Sequence, residues 1–289
     1  MRQWLIDAFA ARPFKGNQAC VVEPLAGWPS DDWMQALAAE NNVGATAFLE
    51  RSEDPARFGL RWFTPATEVP LCGHATLAAA HMLFDELGSP SEQLRFDTVS
   101  GALSVRREAD AYEMALPAIA PRRIATPDGL AEALGAEPVA VWVGNYLVAL
   151  LDSPAAVFAL APDHERLQAI SRALGGLGNV GVAALAEGAR GVDVIDRFFA
   201  PGFGIPEDPA TGSFHALLMP ILAERLGVQA LNFHQAFPGR GADLGARLDG
   251  DRVLLRGAAV TVAEAVLRRA ARPPAAEAAP ASGLTAVSA

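Results

Sequence analysis

Residues 42 to 50 read NVGATAFLE and residues 179 to 187 read NVGVAALAE, with five of nine positions identical. Residues 61 to 70 read RWFTPATEVP and residues 197 to 206 read RFFAPGFGIP, which keep the arginine, one phenylalanine and both prolines. The two matches have nearly the same offset, 137 and 136 residues. A common offset across separate segments indicates an internal duplication rather than chance likeness between apolar strands. The repeat therefore predicts a chain of two homologous halves.

The join between the halves is marked by prolines near residue 120. Pro117 and Pro121 each restrict the preceding residue to an extended conformation, as in a connector. We therefore predict an N-terminal half over residues 1–117 and a C-terminal half over residues 122–267. Beyond these, residues 268–289 are dominated by alanine and proline. Such a composition predicts a mobile tail, because it buries too little apolar surface to order itself.

Each half is predicted to be rich in strands and to contain one long helix. Apolar and β-branched runs such as Arg2–Ala8 and Gly59–Phe63 are typical of strands. Residues 75–87 have the spacing of a buried helix that ends at Gly88, and residues 214–226 repeat this up to Gly227. The sequence therefore predicts an α+β protein with a central helix in each half.

Bulk properties exclude several classes of protein. The chain has 289 residues, 51% of them hydrophobic, and a net charge of −10. No apolar run approaches the roughly 18 residues that a membrane span needs, and Asp7 and Arg12 interrupt the segment where a secretion signal would lie. The basic residues form no stripe, so neither nucleic acid nor a membrane surface is an expected partner. Two cysteines and five histidines form no metal-binding motif, and we expect a soluble cytoplasmic protein.

Two similar loops precede the predicted central helices, VPLCGHAT at residues 69–76 and IPEDPATGS at residues 205–213. A helix N-terminus offers unpaired N–H groups and the positive end of the peptide dipole, which favour a carboxylate or a phosphate. Gly73 and Gly212 leave room for such a group. If the halves pack about a pseudo-two-fold axis, both helix starts face one cleft and hold an anion between them.

The titratable groups in these loops form a candidate proton-transfer set, namely Cys72, His74 and Asp208. Each also has a structural interpretation. Asp208 is suited to a turn before Pro209, Ser213 to a helix cap, and His74 to a hydrogen-bonded structural role. Cys72 is either an inert buried thiol or a thiol whose pKa the helix N-terminus lowers.

Three segments carry a resemblance to a known family: DAFAARPFKGNQACVV, FTPATEVPLCGHATLAAAHML and EDPATGSFHALLMPILAERLG. They resemble the signatures of the phenazine biosynthesis-like (PhzF) family, and the similarity runs from residue 1 to about residue 267. The resemblance implies a fold like that of diaminopimelate epimerase, with a curled, barrel-like antiparallel sheet around a central helix in each domain. It also implies a homodimer and cofactor-independent isomerisation of a small carboxylated metabolite by proton transfer.

Carried over from the family, His74 and Asp208 match polar site positions. Gly73, Gly212 and Ser213 match the positions that hold the substrate carboxylate. The family's general base is a glutamate in a segment of the pattern Asn-Leu-Ser-Glu-Thr-Thr-Phe. The matching residues 42–48 place Ala45 at that position, and a methyl group takes no proton.

Three interpretations follow from this substitution. In the first, the protein is an enzyme whose base is His74, Asp208 or Cys72. Cys72 stands where related racemases place one catalytic cysteine, and Thr211 replaces the other. In the second, the protein binds a small carboxylate, or acts as a partner subunit, without catalysis. In the third, the cleft is vestigial and the dimer is structural.

Overall fold

The computed structural model describes residues 1–186 and 191–273. The strands of the first half either alternate between buried and exposed residues or are apolar over most of their length, as predicted. The first of them is Arg2–Ala8. Nine strands precede residue 125: β1 Arg2–Ala8, β2 Asn17–Val22, β3 Ala45–Arg51, β4 Arg57–Phe63, β5 Glu68–Val69, β6 Gln93–Thr98, β7 Gly101–Glu108, β8 Ala111–Pro117 and β9 Arg122–Ile124. Nine more follow: β10 Ala140–Val143, β11 Leu147–Leu150, β12 Val180–Leu185, β13 Val194–Phe199, β14 Glu207–Asp208, β15 Ala230–Gln235, β16 Ala242–Asp249, β17 Arg252–Gly257 and β18 Ala259–Val266.

Six α-helices accompany the strands within the described residues. They are α1 Asp31–Asn41, α2 Gly73–His81, α3 Leu130–Leu134, α4 Pro154–Ala159, α5 His164–Ala173 and α6 Gly212–Leu226. A π-helical turn, Met82–Glu86, continues α2, and two short 3-10 turns cover Pro201–Phe203 and Arg269–Ala271.

The two halves have the same strand order, as the repeat predicts. In the first half, β2 pairs with β1 and lies parallel to β3, β4 pairs with β3 and lies parallel to β6, and β6, β7 and β8 form an antiparallel meander. In the second half, β10 to β17 repeat each of these pairings, including both parallel ones. The sheets are therefore mostly antiparallel, with parallel pairs at corresponding places in the two halves.

One strand of the second half joins the sheet of the first. β18, near the end of the second half, returns to pair with β1 over seven registered positions from Arg2–Val266 to Ala8–Ala259. β9, at the start of the second half, pairs with β10 of the same half. β8 and β17 pair antiparallel at the centre and make one continuous sheet. The halves are therefore joined by the β8–β17 pairing and by the return of β18.

A buried helix fills each curled sheet. All residues of α2 from His74 to His81 are buried, and four of them are alanines that allow close contact with the sheet. The predicted helix over residues 75–87 is thus α-helical to His81 and π-helical to Glu86, and Gly88 then adopts a left-handed conformation. α6 ends at Gly227, also left-handed, as predicted. The predicted α+β fold, a curled sheet around a central helix in each domain, is confirmed.

An arginine–glutamate pair is duplicated beside the central helices. In the first half, Arg61 on β4 donates two hydrogen bonds to Glu68, at 2.7 and 2.8 Å. In the second half, Arg197 on β13 donates two to Glu207, both at 2.8 Å. Bidentate pairs of this kind fix the orientation of the loop that carries the glutamate. The pair in each half therefore holds the short strand before the central helix.

Several elements were not anticipated from the sequence, among them α1 and the small helices α3 to α5. Of the predicted tail over residues 268–289, residues 268–273 form the short turn at Arg269–Ala271, where the indole of Trp33 donates to the carbonyl of Ala271 at 3.2 Å. Residues 274–289 lie outside the described part of the chain, so the predicted mobility is untested there. No helix among the described residues is both long and apolar enough to span a membrane.

Candidate active site

The site is built on the N-terminal ends of α2 and α6. Cys72 is the N-cap of α2 and Thr211 is the N-cap of α6, and no side-chain oxygen caps either helix. Other helices are capped by side chains, at Ser30, Ser153 and Asp163. The first-turn N–H groups of the two central helices thus lack the usual side-chain acceptor, and the positive dipole ends are left for another anion.

The two helix ends meet at glycines. A Cβ atom added to Gly73 would lie 3.6 Å from the Cα of Gly212 and 3.3 Å from the Cε of Met114. A Cβ atom on Gly212 would lie 3.0 Å from a methyl group of Leu255. The sequence predicted that these glycines leave space for a ligand. The structure adds a packing reason, because they also let the two halves approach each other at the helix starts.

Asn17 connects the polar groups of the two halves. Its side-chain amide donates to Asp208 Oδ1 at 2.7 Å and to the carbonyl of Ala210 at 3.1 Å, and lies 3.2 Å from His74 Nδ1. Asn17 is 2% exposed, so these contacts are sheltered from water. His74 from the first half and Asp208 from the second are therefore brought together around one amide group.

Gln235 orders the loop that carries Asp208. Its amide nitrogen donates to the backbone carbonyl of Asp208 at 2.6 Å, and its oxygen accepts from the backbone N–H of Thr211 at 2.8 Å. The hydroxyl of Thr211 donates to Asp208 Oδ2 at 2.6 Å. Both oxygens of the Asp208 carboxylate consequently have a donor, and the carboxylate is held in one orientation.

Burial shifts the pKa values of Asp208 and His74 in opposite directions, in each case toward the neutral form. Burial raises the pKa of Asp208 to about 6, against the opposing effect of the hydrogen bonds from Thr211 and Asn17. Burial lowers the pKa of His74 to about 4, although the nearby backbone carbonyl of Gln18 favours the protonated ring. At neutral pH the pair consists of an ionised carboxylate, poised close to its titration, and a neutral imidazole.

Cys72 lies next to His74, with its Sγ atom 3.5 Å from Nδ1 and 3.8 Å from Nε2. Burial raises the pKa of this thiol to about 12, and the negative charge of Asp208 adds to the rise. The backbone N–H of Ala75, in the first turn of α2, acts in the opposite direction but does not compensate. The suggestion that the helix N-terminus lowers the pKa of Cys72 is therefore wrong, because desolvation of the thiolate outweighs the helix dipole.

Ala45, the position at which the family resemblance expects the base, is fully buried on β3 opposite Ala19. Its neighbour Gly44 lies against the cluster, since a Cβ atom on Gly44 would be 3.0 Å from Asn17 Oδ1 and 3.4 Å from His74 Nε2. Gly44 therefore lines the wall beside the imidazole. Ala45, the next residue, is part of the apolar core and supplies no titratable group.

Ser213 lies in the first turn of α6 rather than at its N-cap, which is Thr211. The Ser213 hydroxyl is 2.9 Å from the hydroxyl of Tyr146, whose pKa is raised mainly by burial. Tyr146 also packs edge-on against Phe198, with ring centroids 4.9 Å apart. The interpretation of Ser213 as a helix cap is thus wrong. Its hydroxyl instead lies within hydrogen-bonding distance of the Tyr146 hydroxyl.

Asn17, Gln235 and Tyr146 were not identified as site residues from the sequence. The dipeptide Gly16–Asn17 recurs as Gly144–Asn145, but Asn145 is exposed, so the recurrence reflects the duplication and does not identify Asn17 as a site residue. Within the part of the chain that the structure describes, no cluster of histidine, cysteine and acidic residues is arranged to hold a metal ion. The arrangement supplies an ionised carboxylate, a neutral imidazole and two helix N-termini at one place.

The comparisons with known proteins agree on one family. The family model described as "Phenazine biosynthesis-like protein" matches residues 6–265. A protein named as an uncharacterized isomerase from Pseudomonas aeruginosa is 46% identical over 88% of this chain and 93% of its own length. Another uncharacterized isomerase, from Halalkalibacterium halodurans, is 38% identical over 90% of this chain and 95% of its own.

Solved structures agree with this. The crystal structure of a phenazine biosynthesis protein of the PhzF family from Enterococcus faecalis has a TM-score of 0.85 and 36% identity, covering 92% of this chain and 99% of that one. A hydroxyproline epimerase from Agrobacterium vitis has a TM-score of 0.57 at 14% identity over 92% of this chain and 91% of its own, so it shares the fold. Since the family model and these relatives cover nearly the whole chain, the protein belongs to the phenazine biosynthesis-like (PhzF) family, in which the two relatives from Pseudomonas aeruginosa and Halalkalibacterium halodurans are named as isomerases.

Proposed function

We propose that this protein is an isomerase of a small carboxylated metabolite and that it works by proton transfer without a cofactor. The observation that carries the proposal is the meeting of two uncapped helix N-termini beside Asp208 and His74. The N–H groups of these termini suit a substrate carboxylate. They would also stabilise the charge that develops on that carboxylate when a neighbouring carbon loses its proton.

Asp208 is the base in this proposal. A general base works best when its pKa lies near the working pH, and a pKa of about 6 leaves Asp208 ionised yet basic at neutral pH. The protonated Asp208 would return the proton to a neighbouring carbon of the substrate, while neutral His74 stays beside the Asn17 amide that holds the carboxylate in place. Cys72 is a weaker candidate, because a thiol with a pKa of about 12 has almost no thiolate at neutral pH.

A second candidate function rests on Ala45. This residue is fully buried and places a methyl group where the family resemblance expects the base. If that base is indispensable, the protein would bind a small carboxylate and leave it unchanged. The homodimer that the family resemblance implies and the cytoplasmic location expected from the sequence belong to both proposals and need separate measurement.

The deciding experiment follows the entry of solvent deuterium into a panel of small amino and hydroxy acids by NMR. We expect the wild type to exchange the proton beside the carboxylate of at least one member. Asp208→Asn should then slow the exchange by about 100- to 10,000-fold, the usual contribution of a positioned base. Cys72→Ala, which alters an adjacent group of the same cleft, should keep the rate within a few-fold.

One outcome would contradict the enzyme: exchange that appears only in Ala45→Glu would mean that the natural protein binds without catalysis. Two other outcomes would contradict Asp208 as the base. Exchange by the wild type that survives Asp208→Asn but disappears in Cys72→Ala would assign the base to the thiol. Exchange lost in His74→Gln but not in Asp208→Asn would move the base to the imidazole.

A further inference from the structure

A separate cavity lies between the halves, away from the helix N-termini. It has a volume of about 390 Å³ and is formed by the loop between β1 and β2 and the hairpin between β15 and β16. A second cavity of about 340 Å³ adjoins it and shares His234 and Phe237 with it. Volumes of this size are typical of sites for small molecules.

The walls of the cavity are fixed by bonds between the halves. The N–H of Gly16 donates to the carbonyl of Gly241 at 2.6 Å, and Lys15 Nζ donates to the carbonyl of Gly239 at 2.9 Å. Arg240 donates to the carbonyl of Gly16 at 2.9 Å and pairs with the fully buried carboxylate of Asp7. The loop and the hairpin therefore form one preformed structure rather than two independent loops.

The loop is also held in an uncommon conformation. Phe9 and Phe14 have φ angles of 58° and 69°, which only a few per cent of residues other than glycine adopt. The carboxylate of Asp7 accepts a hydrogen bond from the N–H of Phe14 at 2.6 Å and maintains this shape. Backbone strain of this kind concentrates at ligand sites, where it keeps side chains in place before binding.

The charges of the cavity contrast with those of the chain. Arg12, Lys15, His234 and Arg240 line it, in a protein with a net charge of −10. Asp7 balances Arg240, and the exposed Asp243 makes its hydrogen bond to His234 at 2.7 Å. Within residues 1–186 and 191–273, Arg12 and Lys15 make no ion pair with a carboxylate. Two cations thus remain available at the mouth of the cavity.

The hydrogen bond that His234 donates to the carboxylate of Asp243 raises the pKa of the imidazole and so favours its positively charged form. Arg12 and Lys15 both help to lower the pKa of Asp243, which places the three charges close together. One exposed carboxylate shared among three cations does not neutralise them. Phe237 supplies an apolar surface in the same cavity.

We infer that this cavity is a binding site for a small organic oxyanion, with Arg12 and Lys15 holding its carboxylate or phosphate group and Phe237 contacting its apolar part. Arginine and lysine suit both oxyanions, the arginine through its planar pair of donors. The inference does not depend on the proposed isomerase, since no residue of the cavity is assigned a part in that reaction.

The cavity is connected through the backbone of two strands to the cluster around Asp208. Lys15 is two residues from Asn17, and His234 precedes Gln235, so the strands that begin or end at the cavity carry the two side chains that hold Asp208. An oxyanion that tightens the loop against the hairpin would therefore stabilise the arrangement of Asp208 as well.

The test measures binding of benzoate and phenyl phosphate by calorimetry and thermal shift, at constant ionic strength, with benzyl alcohol as the neutral analogue. We expect at least one anion to bind and to raise the Tm, and benzyl alcohol to do neither. Arg12→Gln with Lys15→Gln should weaken binding by about tenfold or more, the loss expected for charge-assisted hydrogen bonds. Which of the two anions binds would identify the oxyanion.

Arg95→Gln is the matched control, because it removes the same charge from an exposed position on β6. It should leave binding unchanged. Arg12→Gln alone, at an exposed side chain, tests the site even if the double variant folds poorly. Asp208→Asn should still bind the anion, which separates this site from the helix N-termini. The inference is overturned if neither anion binds below about 10 mM, or if Arg95→Gln weakens binding as much as Arg12→Gln. Binding lost in Asp208→Asn but kept in Arg12→Gln would overturn it equally.

Discussion

The duplicated ion pair has different surroundings in the two halves. Arg61 and Glu68 have side chains 24% and 39% exposed, whereas Arg197 and Glu207 are 8% and 10% exposed. Arg61 has a second carboxylate partner in Asp31, at 2.9 Å. Arg197 instead donates to the backbone carbonyl of Leu160 at 2.8 Å, as well as to Glu207. The same arginine–glutamate pair is therefore a partly exposed contact with a second acidic partner in the first half and a buried contact in the second half.

The helix starts diverge in a similar way. The first half contributes His74 and Cys72 to the cleft, and the second contributes Asp208, Thr211 and Ser213. The two halves thus share one fold but carry different functional side chains at their helix starts. Duplication provided two equivalent helix N-termini, and later divergence gave each a different set of titratable groups.

The largest expected effect is the difference in stability loss when the glutamate of each ion pair is neutralised. Glu207→Gln should lower the free energy of unfolding by about 3–5 kcal/mol, because it leaves the buried Arg197 guanidinium without its charged partner. Glu68→Gln should cost less than about 1 kcal/mol, since Arg61 is partly solvated and keeps Asp31. Urea denaturation followed by circular dichroism measures both. Equal losses in the two variants would mean that the difference in burial has no energetic consequence.

The next effect concerns the thiol at the first helix start. With Cys20 replaced by serine, alkylation of Cys72 by iodoacetamide at pH 8 should be at least about 100-fold slower than that of an unhindered thiol. Burial raises the pKa of Cys72 to about 12, so little thiolate is present. The rate should still be rising at pH 10. A plateau near pH 8 to 9 would show an ordinary thiol instead.

The smallest expected effect is the pH dependence of the stability that Asp208 contributes, measured against Asp208→Asn. The unfolded carboxyl ionises near its usual pKa of 3.8, whereas the folded one retains its proton up to about 6. The folded state therefore binds more protons in this interval, and the stability that Asp208 contributes falls as the pH rises from 4 to 6. We expect the wild type to lose on the order of 1–2 kcal/mol relative to Asp208→Asn over this range, after allowance for partial solvent access.

The measurement is the difference in unfolding free energy between the two proteins at pH 4, 5, 6 and 7. Neutral His74 works in the opposite direction, because its pKa is lowered to about 4 and its contribution is lost as the pH falls below 6.5. It is present in both proteins, so the difference isolates Asp208. A difference that does not change with pH would place the folded pKa of Asp208 near its ordinary value.

Local signals explain what could be predicted from the sequence. The repeat, the helix ends at Gly88 and Gly227 and the two glycine loops are contained in short stretches, so the fold class and the opposed helices followed from them. Gly73 and Gly212 could be assigned to a close approach, but not to each other, because their meeting depends on how the halves dock.

Long-range contacts explain which features could not be predicted from the sequence. Asn17 and Gln235 lie far apart in the sequence and converge on Asp208 only when β2 and β15 are in place. The sequence left two interpretations of Cys72 open for a related reason. A helix start is visible in the sequence, whereas the burial that outweighs its dipole and raises the pKa of the thiol exists only in the folded chain.

The return of β18 to pair with β1 has a consequence for how the protein is made. While the chain emerges from the ribosome, β1 has its neighbour β2 but must wait for almost the entire remaining sequence before β18 covers its other edge. Pairing of such distant segments gives a high contact order and a correspondingly slow final step. Until that step, β1 offers a free edge to other chains, so crowded synthesis at high temperature should favour aggregation over completion of the sheet.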